Sequence, residues 1–286
     1  MTPKERFVVA NGLRHRLLEW DGGAQSTLLL LHGFLDHAHT WEATVEHLPP
    51  GWHIVAPDWR GHGATEGVGA GGYYHFMDYV FDLADLVDSL GGDRVALCGH
   101  SMGGVVASLY AGAFPDHVSR LALVEGLGPE AGSADEAPAR VARWIHEVRA
   151  LRARSPRPLA SLADAARRLQ LKNPSLSEAR ALRLAELGTR VVPGGFFWNF
   201  DALHRTRSPS PFLLDVVRQF WRRVTCPVAL IHGGQSSMRH SDRAERVGCF
   251  AHVLAEHEIE EAGHMVQIDA PRELSLRLRD FFSPVL

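Results

Sequence analysis

Val95-Ala96-Leu97-Cys98-Gly99-His100-Ser101-Met102-Gly103-Gly104-Val105-Val106 is the stretch that decides the fold. An apolar, β-leaning run stops at a Gly-x-Ser-x-Gly turn, and a small-residue run of helical character follows. Strand, tight turn and helix, in that order, form the context in which a serine is presented as a nucleophile. The chemistry needs the glycines. A serine on so sharp a turn has unfavourable backbone angles and crowded neighbours, and Gly99 and Gly103 carry no side chain to meet the strand or the helix. The turn also sets the Ser101 hydroxyl above the N-terminus of the next helix, where N–H groups and the helix dipole favour developing negative charge.

Working outward, continuous apolar runs bounded by turn residues recur at 27–31, 118–124 and 227–231. Such runs suit strands buried on both faces of a parallel sheet. Residues 52–56 read as a further strand, and 259–261 as a last, short one. Asn11-Gly12 between residues 7–10 and 13–20 is a hairpin signal. Helices are expected at 40–48, at 76–90 with Val80, Leu83, Ala84, Val87 and Leu90 on one face, at 211–223, and at 271–282 behind Pro271. From about 128 to 220 the strand pattern gives way to helices. Val141, Trp144, Ile145, Val148 and Leu151 form one stripe, and Leu162, Ala165, Ala166 and Leu169 a second. Ser175-Leu176-Ser177-Glu178 reads as a capping box opening a third helix, and residues 193–201 as an aromatic loop.

Gly99-His100-Ser101-Met102-Gly103-Gly104, Leu31-His32-Gly33-Phe34 and Gly263-His264-Met265 together resemble the α/β-hydrolase family: its elbow, its oxyanion strand end and its histidine loop. The resemblance spans nearly the whole chain except the middle segment, and the lid and acid site look most like the serine-hydrolase-like subgroup. It implies an α/β fold, a mostly parallel twisted sheet flanked by helices. Residues 1–127 and 221–286 would form the core and 128–220 an inserted helical lid. It implies Ser101 as nucleophile and His264 as base. The N–H groups of Phe34 and Met102 would make the oxyanion hole. His32 is expected to brace its loop, and Asp58 and Arg60 to belong to a hydrogen-bonded turn.

The acid departs from the family pattern. Its usual position follows His232-Gly233, where this chain has Gly234-Gln235-Ser236-Ser237 and no carboxylate. Glu125 ends the strand 118–124, a position that some family members use, and a carboxylate on an apolar strand needs a partner if buried. Glu125 is therefore preferred. Asp242, which also suits a helix N-cap, and a dyad without acid remain open. The family's dehalogenases and epoxide hydrolases use an aspartate nucleophile, so serine at 101 disfavours both reactions.

The expected substrate is a small molecule with an apolar part, an ester or thioester. Trp144, Phe196, Phe197 and Trp198 are the candidate pocket aromatics. A C–C bond hydrolase, a lactonase, or a catalytically weak ligand-binding protein on the same scaffold are the alternatives. A net charge of −3 excludes general affinity for nucleic acid. No apolar run approaches the ~20 residues of a membrane span. Residues 1–6 have no apolar signal core behind them, and three cysteines lie at no metal-like spacing, so a cytoplasmic setting without metal or cofactor is expected. A homodimer is left open.

Overall fold

The computed structural model of the chain describes residues 2–23, 26–92, 94–283 and 285; Met1, where the N-terminal reading begins, lies outside them. β1 (Lys4–Ala10) and β2 (Leu13–Asp21) pair antiparallel around Asn11-Gly12, whose φ angles are 45° and 75°. Two positive φ values give the mirror-image turn whose twist matches a hairpin. β3 (Thr27–Leu31) is buried at all five positions. A 3₁₀ turn and α1 (Glu42–Val45) stand where a helix over 40–48 was expected, ahead of β4 (His53–Pro57). Then come α2 (Phe76–Ser89), β5 (Val95–His100), α3 (Met102–Ala113) and β6 (Val118–Val124).

The segment after β6 holds α4 (Ala137–Arg152), α5 (Leu162–Lys172) and α6 (Glu178–Leu187). It is not purely helical. β7 (Thr189–Val192) and β8 (Gly195–Trp198) form an antiparallel hairpin where a loop was expected. Pro193 fixes φ at one corner of the turn and Gly194 takes φ +86° at the next, the two demands of a tight turn that reverses the chain. The third helix also starts differently. Ser177, not Ser175, is the cap and accepts from the Arg180 N–H, while the Ser175 hydroxyl reaches Asp269 at 2.5 Å. After α7 (Leu214–Trp221) the chain returns to β9 (Val228–Gly233), α8 (Arg243–Val247) and β10 (Val253–Ile259). α9 (Val266–Asp269) and α10 (Pro271–Phe282) close it.

The last strand thus precedes the expected 259–261. β10 is an edge strand with alternating exposure, so its charged residues broke the apolar run that marks the inner strands.

The main sheet runs β1-β2-β4-β3-β5-β6-β9-β10, parallel from β4 onward. Alternation along each strand feeds two cores. Leu29 and Leu31 pack with α2, α3 and α7 on one face, and Leu28 and Leu30 with α1 and α10 on the other. The chain leaves β3 toward β4 on one side and comes back as β5 on the other. Parallel sheets place ligands at such a reversal, outside the carboxyl ends of the strands. The loop after β3 and the turn after β5 both open there.

Trp221 is fully buried against this frame, and its indole N–H donates to Ser108 Oγ at 2.8 Å. Trp221→Ala is expected to lower stability by about 3–5 kcal/mol, read as a lower urea midpoint with an unchanged m-value.

Candidate active site

Ser101 lies between β5 and α3 with φ 50° and ψ −117°, an uncommon conformation for a residue with a side chain. Its neighbours hold it there. The Ser101 N–H donates to the Val124 carbonyl at 2.9 Å. A methyl group on Gly103 would strike the Leu31 and His32 carbonyls, and one on Gly99 the backbone of Gly103 and Gly104. The glycines therefore serve close packing of α3 on β3 and β5.

His264, on the loop between β10 and α9, brings Nε2 to 3.0 Å from Ser101 Oγ. Its Nδ1 lies 3.1 Å from Glu125 Oε2. With Nδ1–H donating to the carboxylate, Nε2 is left to accept from the serine hydroxyl. Glu125 follows β6, also at positive φ (53°), and is 6% exposed. Three donors meet its carboxylate: His264, the Ser236 hydroxyl at 2.7 Å and the Gly233 N–H at 2.8 Å. Burial pushes the carboxyl pKa up, but the bonds from His264, Ser236 and Gly233 together outweigh it and hold the group below the ordinary glutamate value.

Ser236 is a site residue that the sequence reading passed over. It stands in the loop after β9, where the family pattern would put a carboxylate, and points its hydroxyl at Glu125. Asp242 is elsewhere: its carboxylate pairs with Arg246 at 2.8 Å, and Arg246 also donates to the carbonyls of Leu127 and Pro129. It sits at the N-cap position of α8 but makes no side-chain cap bond there.

Behind His264 lies a buried polar chain. His100 Nε2–H donates to the His264 carbonyl at 2.8 Å. Gln267 Nε2 lies 3.2 Å from His100 Nδ1 and 3.4 Å from Asp36 Oδ2. Burial drives Asp36 up to about 7, against the lowering bonds from the His37 N–H and the Thr40 hydroxyl. Its folded pKa thus exceeds the unfolded value of about 3.9. The native state keeps the proton longer, so stability falls as pH rises between these values. Asp36→Asn should raise the melting temperature at about pH 8, and the gain should vanish below about pH 4.

His32 is fully buried, with Nδ1–H donating to the Gly33 carbonyl at 2.8 Å and Nε2 accepting from the Trp59 N–H at 3.0 Å. It braces the loop, as expected. Asp58 accepts from Ala38 and Ala64 and pairs with Arg16, and Arg60 pairs with Asp82, so both belong to a structural network. All three cysteines are free and buried. Among the described residues no group of His, Cys, Asp or Glu is arranged to hold a metal ion, and no helix is long and apolar enough to cross a membrane.

Beside Ser101 opens a cavity of about 330 Å³. Phe34, on the loop after β3, and Met102, at the start of α3, are among its lining residues. The four candidate pocket aromatics do not line it. Trp144 faces an outer cleft on the far side of Tyr73, and Phe196 and Trp198 pack on the inserted segment's own cluster. Phe197 lies under the Arg190 guanidinium. Hairpin formation accounts for this, because pairing of β7 with β8 turns those rings onto α5, α6 and Leu159. The wall is instead built by Tyr73 and Tyr74, from the approach to α2, by Phe76 and Tyr79 of its first turns, and by Leu203 and His204. The aromatic run Tyr73-Tyr74-His75-Phe76 was a visible signal; Leu203-His204 offered none.

A family model described as alpha/beta hydrolase fold matches residues 26–271. The serine hydrolase-like protein of Danio rerio is 26% identical over 281 residues, 93% of this chain and 84% of that protein. The crystal structure of a hypothetical protein from Pseudomonas aeruginosa PAO1 superposes with a TM-score of 0.87 at 29% identity, over 98% of each chain. A thioesterase domain from the curacin biosynthetic pathway superposes with a TM-score of 0.85 at 25% identity, covering 97% of this chain and 99% of that one. With the model match running from β3 through the elbow to the histidine loop, the chain belongs to the alpha/beta hydrolase fold family.

Proposed function

We propose that the chain is a serine hydrolase that cleaves a carboxylic ester or thioester through an acyl-enzyme. One observation carries this reading: the continuous hydrogen-bond chain Ser101–His264–Glu125 at the edge of a largely apolar cavity. A serine hydroxyl is a weak nucleophile until a base takes its proton, and the base works when a third group fixes its tautomer. In the proposed reaction Ser101 Oγ attacks the substrate carbonyl and His264 Nε2 takes the proton. The Phe34 and Met102 N–H groups hold the oxyanion, a contribution of a few kcal/mol in related chemistry. His264 then gives the proton to the leaving alcohol or thiol. Water repeats the sequence and releases the acid. Residues 128–220 serve as a lid over the cavity. The thioesterase likeness supports the thioester form.

A fluorophosphonate probe should label Ser101, seen as an adduct on its peptide by mass spectrometry. Turnover of p-nitrophenyl esters should rise with acyl length until the chain outgrows the cavity, then fall. No adduct and no turnover on any ester of the series would sink the reading and favour a ligand-binding protein on this scaffold.

A further inference from the structure

Six rings wall the cavity beside Ser101: Phe34, Tyr73, Tyr74, Phe76, Tyr79 and His204. Rings lose little freedom on packing and offer flat faces, so a flat group gains more contact there than a flexible chain does. The His204 ring lies against Tyr74, with centroids 3.8 Å apart and the planes tilted by 34°.

Two of these wall residues hold polar atoms that the protein leaves poorly satisfied. Tyr79 is 3% exposed and His204 5%. Tyr79 Oη approaches His204 Nδ1 at 3.5 Å, longer than an ordinary hydrogen bond. His204 Nε2 is buried without a hydrogen-bond partner, and the Arg60 and Gly61 carbonyls lie close to the ring. The neighbouring tyrosines are different. Tyr74 Oη donates to Asp201 Oδ2 at 2.8 Å, and Tyr73 Oη bonds Thr206 Oγ1 at 2.8 Å and the Arg207 carbonyl at 3.1 Å. Of the three wall tyrosines, Tyr79 alone keeps its hydrogen-bonding capacity open toward a ligand. Buried polar groups left this way cost stability, so a native structure that retains them points to a partner that arrives later.

The pair offers no charge. Burial drives His204 down to about 4 and holds the Tyr79 phenol well above its ordinary value. Arg60, the cation nearby, is occupied by Asp82 at 2.6 Å and Asp78 at 3.2 Å. Among the described residues that line the cavity there is no Lys or Arg to pair with a carboxylate or phosphate. In the tautomer that carries its proton on Nε2, His204 Nδ1 is a bare acceptor, and the Tyr79 hydroxyl both donates and accepts. The complement is a neutral hydroxyl on a flat group.

From this arrangement we infer that the substrate group entering the cavity is a phenol, its ring between the aromatic walls and its hydroxyl bridging Tyr79 Oη and His204 Nδ1. The inference rests on the serine-hydrolase reading for the bond that is cut, and not for the recognition itself. The test compares p-nitrophenyl esters of phenylacetic, 3-hydroxyphenylacetic and 4-hydroxyphenylacetic acids. The better hydroxylated ester should exceed the plain one in kcat/KM by about tenfold, and this ratio should fall to within about twofold in Tyr79→Phe. Taking the ratio within one variant cancels any general loss of activity. His204→Phe carries the same expectation and stands in if Tyr79→Phe folds poorly. A wild-type ratio at or below one, or a ratio that survives the substitution, overturns the inference. If no ester is turned over, the reaction reading fails and calorimetry with phenylacetamide and its 3- and 4-hydroxy derivatives decides. Tighter binding of a hydroxylated amide, lost in Tyr79→Phe, upholds the phenol site; equal binding overturns it.

Discussion

Ser101→Ala is expected to lower kcat on any ester the protein cleaves by about 10⁴–10⁶-fold with little change in KM. The argument is one of differential binding. The hydroxyl meets His264 at 3.0 Å and is not one of the rings that wall the cavity. Removing it takes away the attacking atom and leaves the Phe34 and Met102 N–H groups and the cavity in place, so a residual rate over water remains. Stability gives an independent check. Alanine keeps the same unfavourable φ of 50°, so Ser101→Ala should unfold near the wild-type midpoint. Ser101→Gly should lose the same activity but gain about 1 kcal/mol, because glycine occupies positive φ without the penalty a side chain meets. Strain held at a nucleophile and released by glycine is the expected signature of a turn shaped for chemistry. Should Ser101→Ala retain full turnover, the nucleophile assignment fails, whatever the fold.

The sequence read most clearly where one physical rule acted alone. Inner strands covered on both faces must be apolar throughout, and β3, β6 and β9 stood out for that reason. Ser101 and His264 were legible because glycines are obligatory where backbone packs on backbone. Legibility failed where two rules competed. β10 is an edge strand, so solvent on one side put charges into its pattern and hid it. Phe196 and Trp198 looked like pocket residues, yet strand pairing across the Pro193-Gly194 turn sent them into the inserted segment's own core. The cavity wall escaped for a different reason. Tyr73 and His204 are 131 positions apart in sequence yet line one cavity, and no local pattern announces that they meet. Glu125 was half legible: a lone carboxylate ending an apolar strand was conspicuous, but Ser236, which donates to it, was visible only as an absence of aspartate.

The largest effect short of removing the nucleophile is expected from Glu125→Gln, a fall in kcat of about 10³–10⁴-fold. Glutamine preserves volume and can still accept one of the bonds from Gly233 N–H and the Ser236 hydroxyl. It cannot accept from Nδ1–H with a full charge, and its amide NH₂ favours the tautomer in which Nδ1 is bare and Nε2 carries the proton. His264 then donates toward Ser101 instead of accepting, and the base is lost. Asp242→Asn should leave kcat within a few-fold, because Asp242 is engaged by Arg246 at 2.8 Å, on the far side of the loop that carries Leu127 and Pro129. The two single variants therefore decide between the two carboxylates, and equal losses would sink the Glu125 assignment. A second-site change sharpens the case. Ser236 Oγ lies 2.7 Å from Glu125 Oε2, the same oxygen that His264 meets. An aspartate at 236 reaches into that volume from β9 and restores a charged acceptor beside Nδ1. Glu125→Gln/Ser236→Asp should regain at least about tenfold of the lost kcat, roughly 1.4 kcal/mol of transition-state stabilisation. Ser236→Asp alone should be slower than wild type, because two carboxylates then crowd one imidazole and one of them must take up a proton. Rescue in the double variant combined with loss in the single one is the pattern expected of an acid that works from the strand end at β6 and leaves the place after β9 free.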